Sequence, residues 1–311
     1  MKLQRILSLI LLSTLLARAQ QETLTLDDLL EGGQQWLREN IEEEWLRAFQ
    51  NADQQKLQQF LGTLQQRFQG EYVIDLASLK NVARLALPLV ESFDETKQCS
   101  SWLRTRLDYL EVAEEMRLII PPPKVEPGQP PKPAPNPAPE VQRQAWQKHI
   151  AKRPMPRGAE ALVPRLKPIF VEERIPAELV WLAEVESSFD PKARSPVGAA
   201  GLFQFMPATA KERGLALRPD DERLHPDKSA RAAARYLRYL HGRFNDWPLA
   251  LAAYNVGEGR LQGLLQKTKA RTFDQVARRL PAETQMYVPK FEATLRRREG
   301  ITLAQLKAPA R

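Results

Sequence analysis

Ala183-Glu184-Val185-Glu186-Ser187-Ser188-Phe189-Asp190-Pro191, followed at once by Ser195-Pro196-Val197-Gly198-Ala199-Ala200-Gly201-Leu202-Phe203-Gln204-Phe205-Met206-Pro207-Ala208-Thr209-Ala210, puts a carboxylate where a solvent-facing acid does not belong. Upstream, Ile175 and Pro176 open a helical pattern, with proline in the first turn where its missing N–H costs nothing. Leu179, Leu182, Ala183 and Glu186 then fall at i, i+3, i+4 and i+7, so Glu186 shares the apolar stripe while Glu184 points elsewhere. Low dielectric on that face and the negative end of the helix dipole both disfavour the ionised form and raise the pKa. A proton held near neutral pH is what a general acid needs at a glycosidic oxygen. A core-edge glutamate paired with an arginine is the alternative, and spacing alone leaves both open.

The run from Glu186 to Ala210 resembles the first two motifs of the lytic transglycosylases of the goose-type-lysozyme superfamily, the soluble and membrane-bound D-like enzymes that cut bacterial peptidoglycan. Ala252-Ala253-Tyr254-Asn255-Val256-Gly257-Glu258-Gly259-Arg260 resembles their third motif and Glu283-Thr284-Gln285-Met286-Tyr287-Val288-Pro289-Lys290 their fourth. The resemblance covers about Ile169 to Gly300 and does not reach the N-terminal half. It implies an all-α, lysozyme-like catalytic domain, and a segment from Asp221 to Trp247 that leans toward the D-like branch.

The resemblance also implies Glu186 as the single catalytic residue, first acid toward the leaving sugar and then base toward the muramyl C6 hydroxyl, which closes a 1,6-anhydro ring without consuming water. No second carboxylate need then act as nucleophile. Asp190 before Pro191 suits a turn, and Glu258 sits between glycines. Ser187, Gln204, Met206, Tyr254, Asn255 and Tyr287 are the substrate-binding residues that the resemblance implies, with the Tyr287 hydroxyl at the catalytic carboxylate. Bland readings stand beside them. Ser187 can bond back to the helix backbone, Asn255 can be a helix cap, and Tyr287 can be a buried tyrosine with any hydrogen-bonded partner. Gly198, Ala199, Ala200 and Gly201 let backbone approach a sugar chain or simply let a turn pack. The chain departs from the family pattern at Val256, Phe203 and Met286; the last removes a polar group beside Tyr287.

Lys2 and Arg5, the apolar run Ile6 to Leu16, and Ala17-Arg18-Ala19 read as a secretory signal over 1–19, with an uncleaved interfacial anchor as the alternative. Cleavage before Gln20 leaves no N-terminal cysteine for a lipid, so the expectation is an exported, soluble, periplasmic protein without a stable membrane anchor. Cys99 is the single cysteine, which rules out an intrachain disulfide and reads as a small buried side chain. His149, His225 and His241 lack ligand spacing, so no metal and no cofactor is expected.

Charge is divided along the chain. Glu22 to Leu118 holds 10 basic and 18 acidic residues, whereas Val141 to the end holds 31 basic and 18 acidic. With an export signal, a basic half points to peptidoglycan strands with their acidic stems rather than to nucleic acid. Arg231, Arg235 and Arg238 sit at helical spacing and can equally be a solvated face.

Prolines at every second or third position between Pro121 and Pro139 predict an extended linker over 121–140, reaching roughly 60 Å if fully extended. Before it, 22–120 reads as a small helical bundle, with helices over Leu26 to Phe49, Gln54 to Phe68, Leu76 to Val90 and Cys99 to Leu118. This bundle is the candidate contact for an envelope protein partner. After it, 141–311 reads as the lysozyme-like lytic transglycosylase domain. The leading expectation is a lytic transglycosylase cleaving between N-acetylmuramic acid and N-acetylglucosamine; the alternatives are a lysozyme-type hydrolase on the same fold and a non-catalytic wall-binding scaffold.

Overall fold

The computed structural model describes residues 54–121 and 134–310. The signal segment, the Leu26 to Phe49 pattern and most of the proline-rich stretch lie outside the described residues. Eleven helices carry the argument: α1 Gln54–Phe68, α2 Lys80–Ser92, α3 Ser100–Ile119, α4 Pro139–Ala151, α5 Ala159–Glu172, α6 Leu182–Ser187, α7 Pro207–Glu212, α8 Pro226–Phe244, α9 Trp247–Val256, α10 Glu258–Thr268 and α11 Ala282–Glu299. Among the described residues no strand forms; two isolated bridges, Arg194 to Ala200 and Ala200 to Phe205, are the extended pairing. The all-α expectation holds. No helix of the described residues is long and apolar enough to cross a membrane.

The α11 helix organises the molecule. It is buried along most of its length, as suits a helix enclosed on all sides. Tyr287, Val288, Phe291 and Leu295 enter one apolar cluster with α5, α6, α8 and α9. Ala282, Met286 and Ala293, at i, i+4 and i+11 on another face, enter a second cluster with α1, α2, α3 and Trp146 and Ile150 of α4. Residues on both sides of the proline-rich stretch therefore share this second cluster. The described end of that stretch is also fastened: Asn136 Nδ2 donates to the carbonyls of Glu71 (2.8 Å) and Arg278 (3.1 Å), and its Oδ1 accepts from Val73 N (2.9 Å).

Two buried ion pairs set the register of α11 against α3. Glu283 and Lys290 stand seven residues apart on α11; Arg106 Nη2 lies 2.5 Å from Glu283 Oε1, and Lys290 Nζ lies 3.2 Å from Asp108 Oδ2. Asp108 is also paired with Arg153. Such pairs add little net stability over an apolar contact, but losing one partner strands a buried charge at a cost of about 3–5 kcal/mol. The acidic balance of the N-terminal helices is thus only partly spent on the basic half. Arg231, Arg235 and Arg238, by contrast, all bond to the end of α5 at Glu172 and Glu173.

The α6 helix ends abruptly after Ser187. Ser188 (φ 52°) and Phe189 (φ 60°) are both left-handed, which costs non-glycine residues on the order of 1 kcal/mol or more each. The turn is held by Ser188 N donating to Glu184 O (3.0 Å) and Phe189 N to Ala183 O (3.1 Å), and by the Phe189 ring packed edge-on to Trp181. The loop that follows is stitched by Arg223, whose Nη1 donates to the carbonyls of Gly198 (2.7 Å) and Phe205 (2.9 Å) while Asp221 holds the guanidinium. Gly201 (φ 79°) resolves the small-residue run: a Cβ there would sit 1.8 Å from Arg223 O, so this glycine serves turn packing. Gly198 (φ 90°) meets no such neighbour. Gly201→Ala is expected to cost more than about 3 kcal/mol and Gly198→Ala about 1 kcal/mol. Thermal melts of the two variants check this, and equal losses would contradict the packing role.

Candidate active site

A cleft of about 480 Å³ runs between the Ser195–Met206 loop, the end of α9 and the N-terminal helices, with Glu186 on its lining. The last turn of α6 presents Glu186 at 5 % exposure, and the Tyr287 hydroxyl of α11 donates to its Oε1. Burial pushes the Glu186 carboxyl up to about 7, against the Arg106 charge and the Tyr287 hydrogen bond, which pull it down. Glu184, two residues earlier, is also buried but is gripped by Arg298 through two bonds of 2.8 and 2.9 Å. Of the two acids on α6, Glu184 is the one paired with arginine, and Glu186 is the one left beside a phenol.

Gln204, Met206, Tyr254 and Asn255 line the same cleft. The Gln204 amide nitrogen donates to Ala193 O (3.2 Å) and Gly201 O (2.8 Å), so only its Oε1, buried without a protein partner among the described residues, remains unused. Met206 is 42 % exposed. The Tyr254 hydroxyl is spent on Phe203 O (2.8 Å), which fixes its ring against Phe205 and Tyr236. Asn255 is not the helix cap, since α9 continues to Val256 and caps at Gly257. Its Oδ1 accepts from Thr284 Oγ1 (2.6 Å) and its Nδ2 approaches Glu283 Oε1 (3.4 Å).

Two of the residues expected at the substrate do not line the cleft. Ser187 is fully buried and its hydroxyl is directed to Ala183 O (3.1 Å) and Leu202 O (2.9 Å), so it ties α6 to the loop and does not line the cleft. Tyr287 is 1 % exposed and likewise lies behind the lining, with its hydroxyl on the Glu186 carboxyl. Met286 enters the N-terminal apolar cluster, which accounts for an apolar residue beside Tyr287.

The sequence reading missed a whole wall. Gln65, Gln66 and Gln69, placed on and just beyond α1, together with Trp102 and Arg106 of α3, face the cleft, and Glu283 joins them. Gln69 Nε2 donates to Glu283 Oε2 (3.2 Å). A signal for Arg106 was available: it falls on the α3 stripe of Trp102, Leu103, Tyr109 and Leu110, a charge on an apolar face like Glu186.

The family model described as the transglycosylase SLT domain matches residues 172–276. Over this segment the chain is similar to transglycosylase SLT domains. Membrane-bound lytic murein transglycosylase D of Escherichia coli is 42 % identical over 126 residues, covering 39 % of this chain and 28 % of that protein. Peptidoglycan transglycosylase gp16 of Escherichia phage T7 is 48 % identical over 83 residues, 26 % of this chain and 6 % of that one. The chain therefore spans little more than a quarter of the length of the first relative. The 70 kDa soluble lytic transglycosylase of Escherichia coli aligns with 96 % of this chain and 61 % of its own, at 18 % identity and a TM-score of 0.38. Glu186, Gln204, Met206, Tyr254 and Asn255 fall inside the SLT domain match; Glu283, Tyr287 and the wall from α1 and α3 fall outside it.

A buried acid whose folded pKa exceeds its ordinary 4.5 destabilises the protein as it ionises. The penalty is small at pH 4.5, grows as pH rises toward about 7, and then levels off at about 3 kcal/mol. Glu186→Gln removes it. The variant is expected to melt above the parent at pH 8 and with the parent near pH 4.5; a gap independent of pH would contradict a carboxyl titrating near 7.

Proposed function

We propose that the protein is a peptidoglycan lytic transglycosylase that cleaves the bond between N-acetylmuramic acid and N-acetylglucosamine and leaves 1,6-anhydromuramic acid ends. The observation that carries this is a buried carboxyl on the cleft lining, Glu186 near pKa 7 under the Tyr287 hydroxyl, while the other acidic side chain on the lining, Glu283, is paired with Arg106. The names of the relatives, lytic murein transglycosylase and peptidoglycan transglycosylase, support the substrate. The catalytic unit in this reading is 141–311, exported to the periplasm.

Glu186 gives its proton to the glycosidic oxygen as the bond from the muramyl anomeric carbon breaks. The carboxylate so formed takes the C6 hydroxyl proton as that oxygen closes on the anomeric carbon, which restores the acid and consumes no water. A group that is acid and base in one cycle works best with its pKa near the working pH. Tyr287 serves both halves, because its hydroxyl bonds the carboxyl in one orientation and steadies the anion. Gln204 Oε1 and the edge of Met206 are the contacts offered to sugar; Asn255 and Tyr254 shape the cleft with their polar ends already engaged.

Mass spectrometry of muropeptides released from purified sacculi tests the reading. The expected products are one water lighter than the hydrolysed forms, with release falling as pH rises through about 7 and Glu186→Gln lowering the rate about 100-fold or more. Reducing-end products would make the protein a lysozyme-type hydrolase, and binding without release a wall-binding scaffold.

A further inference from the structure

The Arg106–Glu283 pair lies outside the SLT domain match, and the chemistry above gives Arg106 no part. We propose that α3 completes the active site: Arg106, anchored on Glu283, is a positioning residue that supplies the fixed positive charge facing Glu186. The proposal rests on the reading of Glu186 as acid and base.

The geometry gives that charge no freedom. Arg106 is 7 % exposed, lines the cleft with Glu186 and Glu283, and stands 5.5 to 6.0 Å from the ring centres of Trp102, Tyr109 and Phe68. Its Nη2 bonds Glu283 and its Nη1 approaches Thr105 Oγ1 (3.2 Å). A guanidinium with aromatic walls and a buried counter-ion cannot swing to solvent, and in a low-dielectric site its field is weakly screened. Ion-pairing to Glu283 alone does not require a place on the cleft lining beside the acid.

The groups facing Glu186 can be named element by element. From α3 come Arg106 and Tyr109, from α11 Tyr287, Glu283 and Lys290, and from α9 Tyr254. Burial keeps the three phenols well above their usual range, so they stay neutral. Lys290 also pulls the carboxyl down, but less than Arg106, and it is engaged by Asp108 and by Thr105 O (3.1 Å). Arg106 leads the groups that favour the anion, ahead of the opposing push from Glu283, so the pair as a whole favours it. That net bias toward the anion keeps Glu186 able to serve as base after it has served as acid. The N-terminal helices are thereby part of the catalytic apparatus, not an appended module.

The test uses the full chain carrying Arg106→Met, Arg106→Lys, or Arg106→Met with Glu283→Gln, each paired with the same protein bearing Glu186→Gln. The gap between paired proteins grows with pH until Glu186 is ionised in the folded protein, so the pH at which it levels off reports the Glu186 titration without any need for cleavage. Arg106→Met is expected to raise that levelling-off pH by about one unit, the double variant by less, and Arg106→Lys to leave it near the parent's. The falling limb of muropeptide release should move up in step. If Arg106→Met does not melt cooperatively, the double variant, which leaves no unpaired buried charge, decides. A levelling-off pH unchanged or lowered in that variant overturns the proposal. A parent that releases nothing from sacculi would overturn the enzymatic reading instead, while the melting readout would still show whether Arg106 acts on Glu186.

Discussion

One carboxyl, taken out of water and left without an arginine, is the constraint on which the rest of the structure depends. Burial favours the protonated form of Glu186, and the surroundings temper that preference without abolishing it: a phenol from Tyr287 and a guanidinium one helix away. Glu186 has no direct arginine contact of the kind Glu184 makes with Arg298. Holding an acid in this state demands rigid neighbours, because a small shift admits water or brings a cation into contact.

The α11 helix supplies the rigidity. Tyr287 faces α6, while Ala282, Met286 and Ala293 face the N-terminal helices, and Glu283 and Lys290 lock to Arg106 and Asp108. The phenol that touches the acid and the charges that grip α3 are carried on one helix, so the position of α11 is set from both sides at once. Its two clusters make the N-terminal half and the half containing the SLT domain match mechanically continuous. The Ser195–Met206 loop is fixed independently, by Arg223 on its carbonyls and by the absence of a side chain at Gly201. The cleft therefore has walls of separate origin that meet around Glu186.

Helical spacing was enough to find the elements. Gln54 to Phe68 is α1 as read, and Cys99 to Leu118 became Ser100–Ile119. Leu76 to Val90 splits into a 3₁₀ turn, Ile74–Leu79, and α2, and the helix read from Ile175 likewise begins as a 3₁₀ turn at Ala177–Trp181. A periodic pattern reports which residues are apolar, not which carbonyl each N–H selects. The orientation of polar side chains was harder to read. Ser187 stands in the right motif, yet its hydroxyl bonds backbone, because it is enclosed by a loop fifteen residues away in sequence.

The sequence by itself determined the all-α class, the place of Glu186 on an apolar stripe, and the set of motifs gathered around it, since periodicity and local chemistry are properties of neighbouring residues. Tertiary structure alone decided that Glu184 takes the arginine and Glu186 does not. It alone decided too that Arg106, 177 residues from Glu283, enters the cleft. Arg106 carried the same signature as Glu186, a charge on an apolar face. Its meaning rested on a partner in another part of the chain, and pairing between distant residues is settled only when their helices pack.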